Sequence, residues 1–272
     1  MKLWRIASRR ETAMPMLALA FASAVCVGLV AGRLLWTRDI RYIFLIWNLF
    51  LAWLPLVFAL LAQETSEPSA ARNWRFAVCA GAWLLFFPNA PYIFTDLSHL
   101  TAVFAAHFWV DMMLILSCAL TGLVLGFVSL HLMQGIVKRM AGAALSWLFV
   151  AGVAALSGIG VWLGRFLRFN SWDVVLRPVE LYQRLGSGAL SSLRPRASLA
   201  FAALFATFLF ITYLMLYALT HLRHIQPLTR TPAPDTGKTG SPRLPLPLEA
   251  VPADLGKGAP AAHLHPAGAS RN

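Results

Sequence analysis

Residues 74–94 read WRFAVCAGAWLLFFPNAPYIF, and how this stretch crosses a membrane decides the fold. The apolar run Trp74–Phe87 holds 14 residues before Pro88-Asn89-Ala90-Pro91. A helix of that length rises about 21 Å, short of a hydrocarbon core of about 30 Å. Two prolines so close together do not sit in an unbroken helix. Completing the crossing therefore requires the Pro-Asn-Ala-Pro element itself, with Tyr92-Ile93-Phe94 beyond it. Non-helical backbone at membrane depth is tolerated only where protein or a wet cavity surrounds it. The expectation is a broken third helix packed inside a bundle, not facing lipid.

The rest of the chain supports that frame. Hydrophobic residues make up 58% of the sequence and charged residues 12%, against about 45–50% and about 25% in soluble domains. Outside 74–94, apolar stretches of spanning length fall at residues 14–36, 42–62, 108–133, 143–163 and 198–219. The predicted class is all-α, a polytopic membrane bundle of six helices over residues 14–222. A basic leader (residues 1–13) precedes it, and a disordered Pro-rich tail (residues 223–272) follows. Ala22-Ser23-Ala24 resembles a signal-peptidase motif, but apolar residues continue to Leu35-Trp36, so the first segment reads as an uncleaved helix. Thr95–His107 reads as a short interfacial or re-entrant piece, and residues 171–197 as an amphipathic surface connector interrupted at Pro178.

The formal net charge of +12 invites a nucleic-acid reading, but the arginines are scattered among loops between apolar segments. Basic loops of that kind set topology. The expected partner is therefore the lipid bilayer and not nucleic acid, together with an unidentified small-molecule or lipid ligand. Six helices are few for a transporter, which makes a homo-oligomer a natural arrangement. Cys26, Cys79 and Cys118 each lie inside an apolar run and read as small buried hydrophobes. No residue pattern calls for a cofactor. Lys and Arg near segment ends are almost balanced between the two faces, so the positive-inside rule places the N-terminus inside only weakly.

Counting segments brings the polar residues together. The third span exits on the face where the fourth enters and the fifth exits. Asn89, Tyr92 and Asp96, then Asp111, then Arg165, Arg168, Asn170, Ser171, Trp172 and Asp173 all belong to that face and form the candidate polar site. Ionisable groups near membrane depth are costly and usually pair or line a pathway. Salt bridges from Asp96 or Asp111 to Arg165 or Arg168 are expected. On purely structural grounds, the two arginines would snorkel to headgroups at a helix C-terminus. A weaker alternative is a metal held by Asp96, His99, His107 and Asp111, whose spacings would put each Asp–His pair on one helix side. Gly28/Gly32, Gly122/Gly126 and Gly160/Gly164 have the spacing of close helix contacts.

Three blocks carry a family resemblance: Pro88–Tyr92 with Thr95-Asp96-Leu97, then Trp109-Val110-Asp111, then Gly164–Asp173. They resemble the signature blocks of a bacterial membrane-protein family of unknown function, catalogued as domain of unknown function 1361. The resemblance covers roughly residues 40–220, and Phe169 stands where the family is expected to prefer tryptophan. It implies a multi-pass protein of the bacterial cell (inner) membrane and no particular activity.

Three functions compete. A broken helix with intramembrane polar groups suits a small-solute or anion binding or transport protein. Arginines at headgroup level, with Asp96, His99 and Asp111 as acid–base groups, suit an enzyme acting on a lipid or lipid-linked substrate. The same face could instead dock a partner, making the chain an assembly subunit. No nucleophile or hydrolase motif favours the enzyme.

Overall fold

The computed structural model describes residues 10–65, 74–102, 107–169, 173–186 and 195–222. The start of the basic leader, the Pro-rich tail and the site candidates Asn170, Ser171 and Trp172 lie outside the described residues. Within them the chain runs α1 (Arg10–Thr37), a 3-10 turn (Ile40–Tyr42), α2 (Phe44–Thr65), α3 (Trp74–Phe86) and α4 (Asn89–Tyr92). A 3-10 helix (Ile93–Ala102) follows, then α5 (Phe108–Ala141), α6 (Ala143–Phe166), α7 (Asp173–Leu176), α8 (Pro178–Gly186) and α9 (Pro195–Leu222). No strand occurs among the described residues. Six stretches are long and apolar enough to cross a membrane: Ala13–Thr37, Ile40–Thr65, Trp74–Leu100, Phe108–Ala141, Ala143–Phe166 and Leu199–Thr220. The protein is an all-α, multi-pass membrane bundle.

The surface is apolar where a soluble protein's would be wet. Leu17, Phe21, Leu35, Val78, Leu148 and Leu204 are all exposed. Several polar groups inside the spans find partners within the protein, as a medium without water demands. Ser23 and Ser157 hydroxyls donate to the carbonyls of Leu19 and Val153 at 2.8 and 2.7 Å. The indoles of Trp53 and Trp83 donate across helices to Ser23 and Ser129 at 3.1 and 3.2 Å.

α5 is the axis of the bundle. It has 34 residues, so it is about 51 Å long, well beyond the hydrocarbon core. It packs against α1, α2, α4, the 3-10 helix and α6. Of its most apolar stretch 67% is buried, against 17% for the first span and 22% for the last. Its turn into α6 passes through Gly142 at φ +89°, a conformation that side chains resist. One core, around Trp83, Phe87, Phe127, Val161 and Tyr213, joins α3, α5, α6 and α9. A second, around Leu45, Leu56, Ile93, Ile115 and Leu125, joins α1 and α2 to α5 and the 3-10 helix.

The third span is broken, and the break is inside. α3 ends at Phe86, α4 begins at Asn89, and Ala90, Pro91 and Ile93 are buried. The 3-10 helix Ile93–Ala102 follows α4 directly, so the stretch long and apolar enough to cross a membrane extends to Leu100, and residues 103–106 of the expected interfacial piece lie outside the described residues. Two glycine pairs make room for the break. A Cβ at Gly122 would stand 2.9 Å from the Ala90 carbonyl oxygen, and one at Gly160 would stand 3.0 Å from the Pro88 ring. Gly126 faces Ala90 and Gly164 faces Tyr92 in the same way. The broken element is therefore wedged between α5 and α6, most tightly at Gly122, where any side chain would have to displace its neighbours. Gly28 and Gly32 have nothing within 4 Å of where a Cβ would be, so their spacing marks no helix contact among the described residues. On the connector, the proline expected to interrupt the amphipathic stretch opens α8, and Leu176, Val179 and Tyr182 are exposed.

Candidate functional site

The break in the third span positions an acid. Asn89 donates its side-chain amide to the Phe86 carbonyl at 3.0 Å, satisfying an acceptor that the helix break leaves open. Thr95 likewise donates to the Tyr92 carbonyl at 2.7 Å. The tight 3-10 coil then turns Asp96 inward, where it is only 2% exposed. Asn48 of α2 donates to its Oδ2 at 2.9 Å, and Arg165 at the end of α6 approaches its Oδ1 with Nη1 at 3.4 Å. His99, one 3-10 turn further on, places Nε2 3.8 Å from the same Oδ1 and 3.3 Å from Arg165 Nη1. The second guanidinium nitrogen of Arg165 bonds the Ser98 hydroxyl. The acid is thus compensated by one cation and one amide, which is what burial of a carboxylate requires.

Beside this cluster lies a cavity of about 300 Å³. Its polar lining comes from Asn48, Asn89, Tyr92, Asp96, His99, Arg165 and Arg168, and its apolar walls from Phe44, Trp47, Leu51, Pro88 and Phe169. Gly160 and Gly164 complete it on the α6 side. Arg165 is spent on Asp96, Ser98 and His99, but Arg168 has no hydrogen bond or ion pair among the described residues. Its backbone is also unusual. Arg168 sits at φ +57°, just past the end of α6, with the following Phe169 amide reaching back to the Leu163 carbonyl at 3.4 Å. Helices commonly end on such a left-handed residue, but it is usually glycine.

Of the residues expected at the polar site, the structure gathers Asn89, Tyr92, Asp96, Arg165 and Arg168 around one cavity. Asp173 opens α7 and is not part of the lining. Asp111 is not part of it either, although it belongs to the same membrane face. Its carboxylate is held by Arg33, Nε to Oδ1 at 2.6 Å and Nη2 to Oδ2 at 3.2 Å, and by the Tyr42 hydroxyl at 3.0 Å. The expected pairing of Asp111 with Arg165 or Arg168 is replaced by this second cluster, because Asp111 faces α1. Asp96 pairs with Arg165 as expected, and no Asp96–Arg168 pair occurs among the described residues. The metal alternative loses its geometry. Asp96 and His99 face the cavity, Asp111 turns to Arg33, and His107 stands edge-on to Trp36 with ring centroids 5.2 Å apart. Among the described residues no three His, Cys, Asp or Glu side chains come together as metal ligands.

Sequence reading missed Arg33, Asn48, Ser98 and the aromatic wall. Arg33 and Asn48 carried a signal, since each interrupts an otherwise apolar run. A polar residue in such a run needs a partner, but the run does not name it.

A family model described as "Protein of unknown function (DUF1361)" matches residues 47–215. That stretch contains every lining residue of the cavity except Phe44, and excludes Arg33 and Tyr42. Neither a curated protein nor a solved structure matches the chain.

Proposed function

The chain belongs to the DUF1361 family, whose description carries no activity, and from the cavity's geometry we propose that it is a membrane protein that binds a small anionic group. The observation that carries this reading is Arg168, a cation held in a strained backbone conformation, lining a cavity, with its charge uncommitted among the described residues. Strained residues persist where the surrounding structure holds them, and they cluster at ligand sites. Arg165 and Asp96 neutralise each other, so the remaining positive charge at the cavity belongs to Arg168. Asn48, Asn89 and the Tyr92 hydroxyl offer further donors to phosphate or carboxylate oxygens.

Small-solute transport is the wider role that fits a broken spanning helix beside such a site. A second reading, catalysis on a lipid-linked substrate, draws on His99, which lines the cavity beside Asp96 with about half of its side chain exposed. We place the protein in the bacterial cell membrane with the N-terminus inside. Arg33 and Arg165 are engaged with carboxylates and so count little as topology signals, which leaves the N-terminal face the more basic. The cavity then opens on the outer face.

The test is calorimetric titration of the purified full chain with inorganic phosphate, sulfate and acetate. Saturable binding that Arg168→Gln weakens at least tenfold is the expected result. Binding that is absent, or indifferent to Arg168, overturns the reading. Flux of the bound anion in proteoliposomes, compared with Asp96→Asn, then separates transport from binding alone.

A further inference from the structure

We infer that the anion this cavity takes is the phosphate of a phospholipid, which enters sideways from the bilayer between α2 and α6. The inference rests on the anion-binding reading and names its ligand.

The first ground is packing. α2 rests against α3 and α5, and α6 rests against α5 and α9. Between α2 and α6 stand α4 and the cavity, which both helices line. The α2 wall reaches the membrane-facing surface. Trp47 lines the cavity while 57% exposed, and its ring lies 5.5 Å from that of the equally exposed Phe50. An aromatic pair facing outward on a spanning helix meets lipid.

The second ground is depth and polarity. Phe44 and Leu51 both line the cavity from one helix, and their seven-residue separation spans about 10 Å along it. Gly160 and Arg165 do the same on α6, over about 7.5 Å. Both stretches lie inside membrane spans. The end nearest the membrane face carries His99, Arg165 and Arg168, while Leu51, Pro88, Asn89 and Gly160 form the deeper end. A free inorganic ion would occupy the arginine end and leave unfilled the deeper end, where Leu51 and Pro88 stand and the Asn89 amide is bonded to the Phe86 carbonyl. A phospholipid matches both, with phosphate at the arginine level and glycerol and first methylenes against Trp47 and Leu51. Arg168 lies two residues past Phe166, the last residue of the fifth span, where phosphate headgroups lie.

The experiment titrates the purified full chain, in a non-ionic detergent, with three probes. These are inorganic phosphate, dihexanoyl phosphatidylglycerol below its micelle concentration, and dihexanoylglycerol, which lacks the phosphate. The expected result is that the phospholipid binds at least tenfold tighter than phosphate and that dihexanoylglycerol does not bind. Arg168→Gln weakens both anionic probes, whereas Trp47→Ala weakens only the phospholipid, by about tenfold. A phosphatidylglycerol carrying a diazirine in its tail labels α2 and α6 in the unmodified protein, so the inference does not depend on any variant folding. If phosphate binds through Arg168 and the phospholipid binds no tighter, the lipid inference falls and the anion reading stands. Failure of both anionic probes removes the anion reading too. Equal binding of dihexanoylglycerol, or labelling spread evenly over all six spans, shows unspecific apolar occupancy and overturns the inference.

Discussion

Arg33 grips Asp111 across the first and fourth spans, Nε to Oδ1 at 2.6 Å, and both side chains are nearly fully buried. The pair ties the peripheral α1 to the central α5, and the Tyr42 hydroxyl anchors the start of the second span to the same carboxylate. Removing one member leaves an uncompensated charge at membrane depth, which costs about 3–5 kcal/mol, whereas replacing both with apolar residues of similar size is nearly neutral. Arg33→Met and Asp111→Leu should therefore each lower the thermal midpoint in detergent sharply, while the double variant recovers most of the loss. A double variant as unstable as the worse single one would show that the pair is not the unit described.

The glycines predict a contrast in position. A side chain at Gly160 meets the Pro88 ring at 3.0 Å, so Gly160→Val must push the broken element away from α6. Overpacking of this kind costs about 1–3 kcal/mol. Gly28→Val places its side chain in open space on α1 and should leave the midpoint unchanged. Thermal unfolding of the two variants side by side checks this, and equal losses would contradict the wedge.

Asp96 and Arg165 predict opposite signs for anion binding. Asp96→Asn keeps the shape, removes a negative charge beside the cavity and frees Arg165, so anion affinity should rise by about tenfold. Arg165→Gln leaves the carboxylate without its cation, so affinity should fall by a similar factor. Isothermal titration with inorganic phosphate reads both, and the difference should shrink as ionic strength rises. Two variants that move affinity in the same direction would mean that the charges do not act on the ligand.

These contrasts also mark what the sequence makes legible. The crossings follow from length and hydropathy, and the broken third span from Pro88 and Pro91, because both are one-dimensional properties of the chain. Segment counting also brings Asp96 to the face of Arg165. It fixes the membrane face and the depth of a residue but not its azimuth about the helix axis. Asp111 therefore shared a face with Arg165 on paper while turning toward α1 in the fold. Asn48 went unread although it interrupts an apolar run, because its partner lies on the 3-10 helix, whose coiling after the proline break does not follow α-helical periodicity. Arg168 looked like a neighbour of Arg165 one turn along the same helix. The helix ends at Phe166, and the left-handed turn beyond it sends the two guanidinium groups to different work.

Arg168 yields the sharpest prediction, because its backbone and its side chain make opposite demands. At φ +57° a side chain costs about 1 kcal/mol relative to glycine, which the position would otherwise favour. The guanidinium gains nothing in return from hydrogen bonds or ion pairs among the described residues, so it does not offset that cost in the free protein. Arg168→Gly should raise stability by about 1 kcal/mol while abolishing saturable anion binding. Arg168→Gln should lose binding without the gain, since glutamine keeps the same backbone strain. Arg168→Lys keeps the charge and the strain, so it should retain part of the affinity while losing the bidentate geometry. Thermal midpoints and phosphate titrations on the three variants separate the two effects. If Arg168→Gly instead destabilises the protein, the arginine holds the helix end in place, and its position beside the cavity has a structural cause.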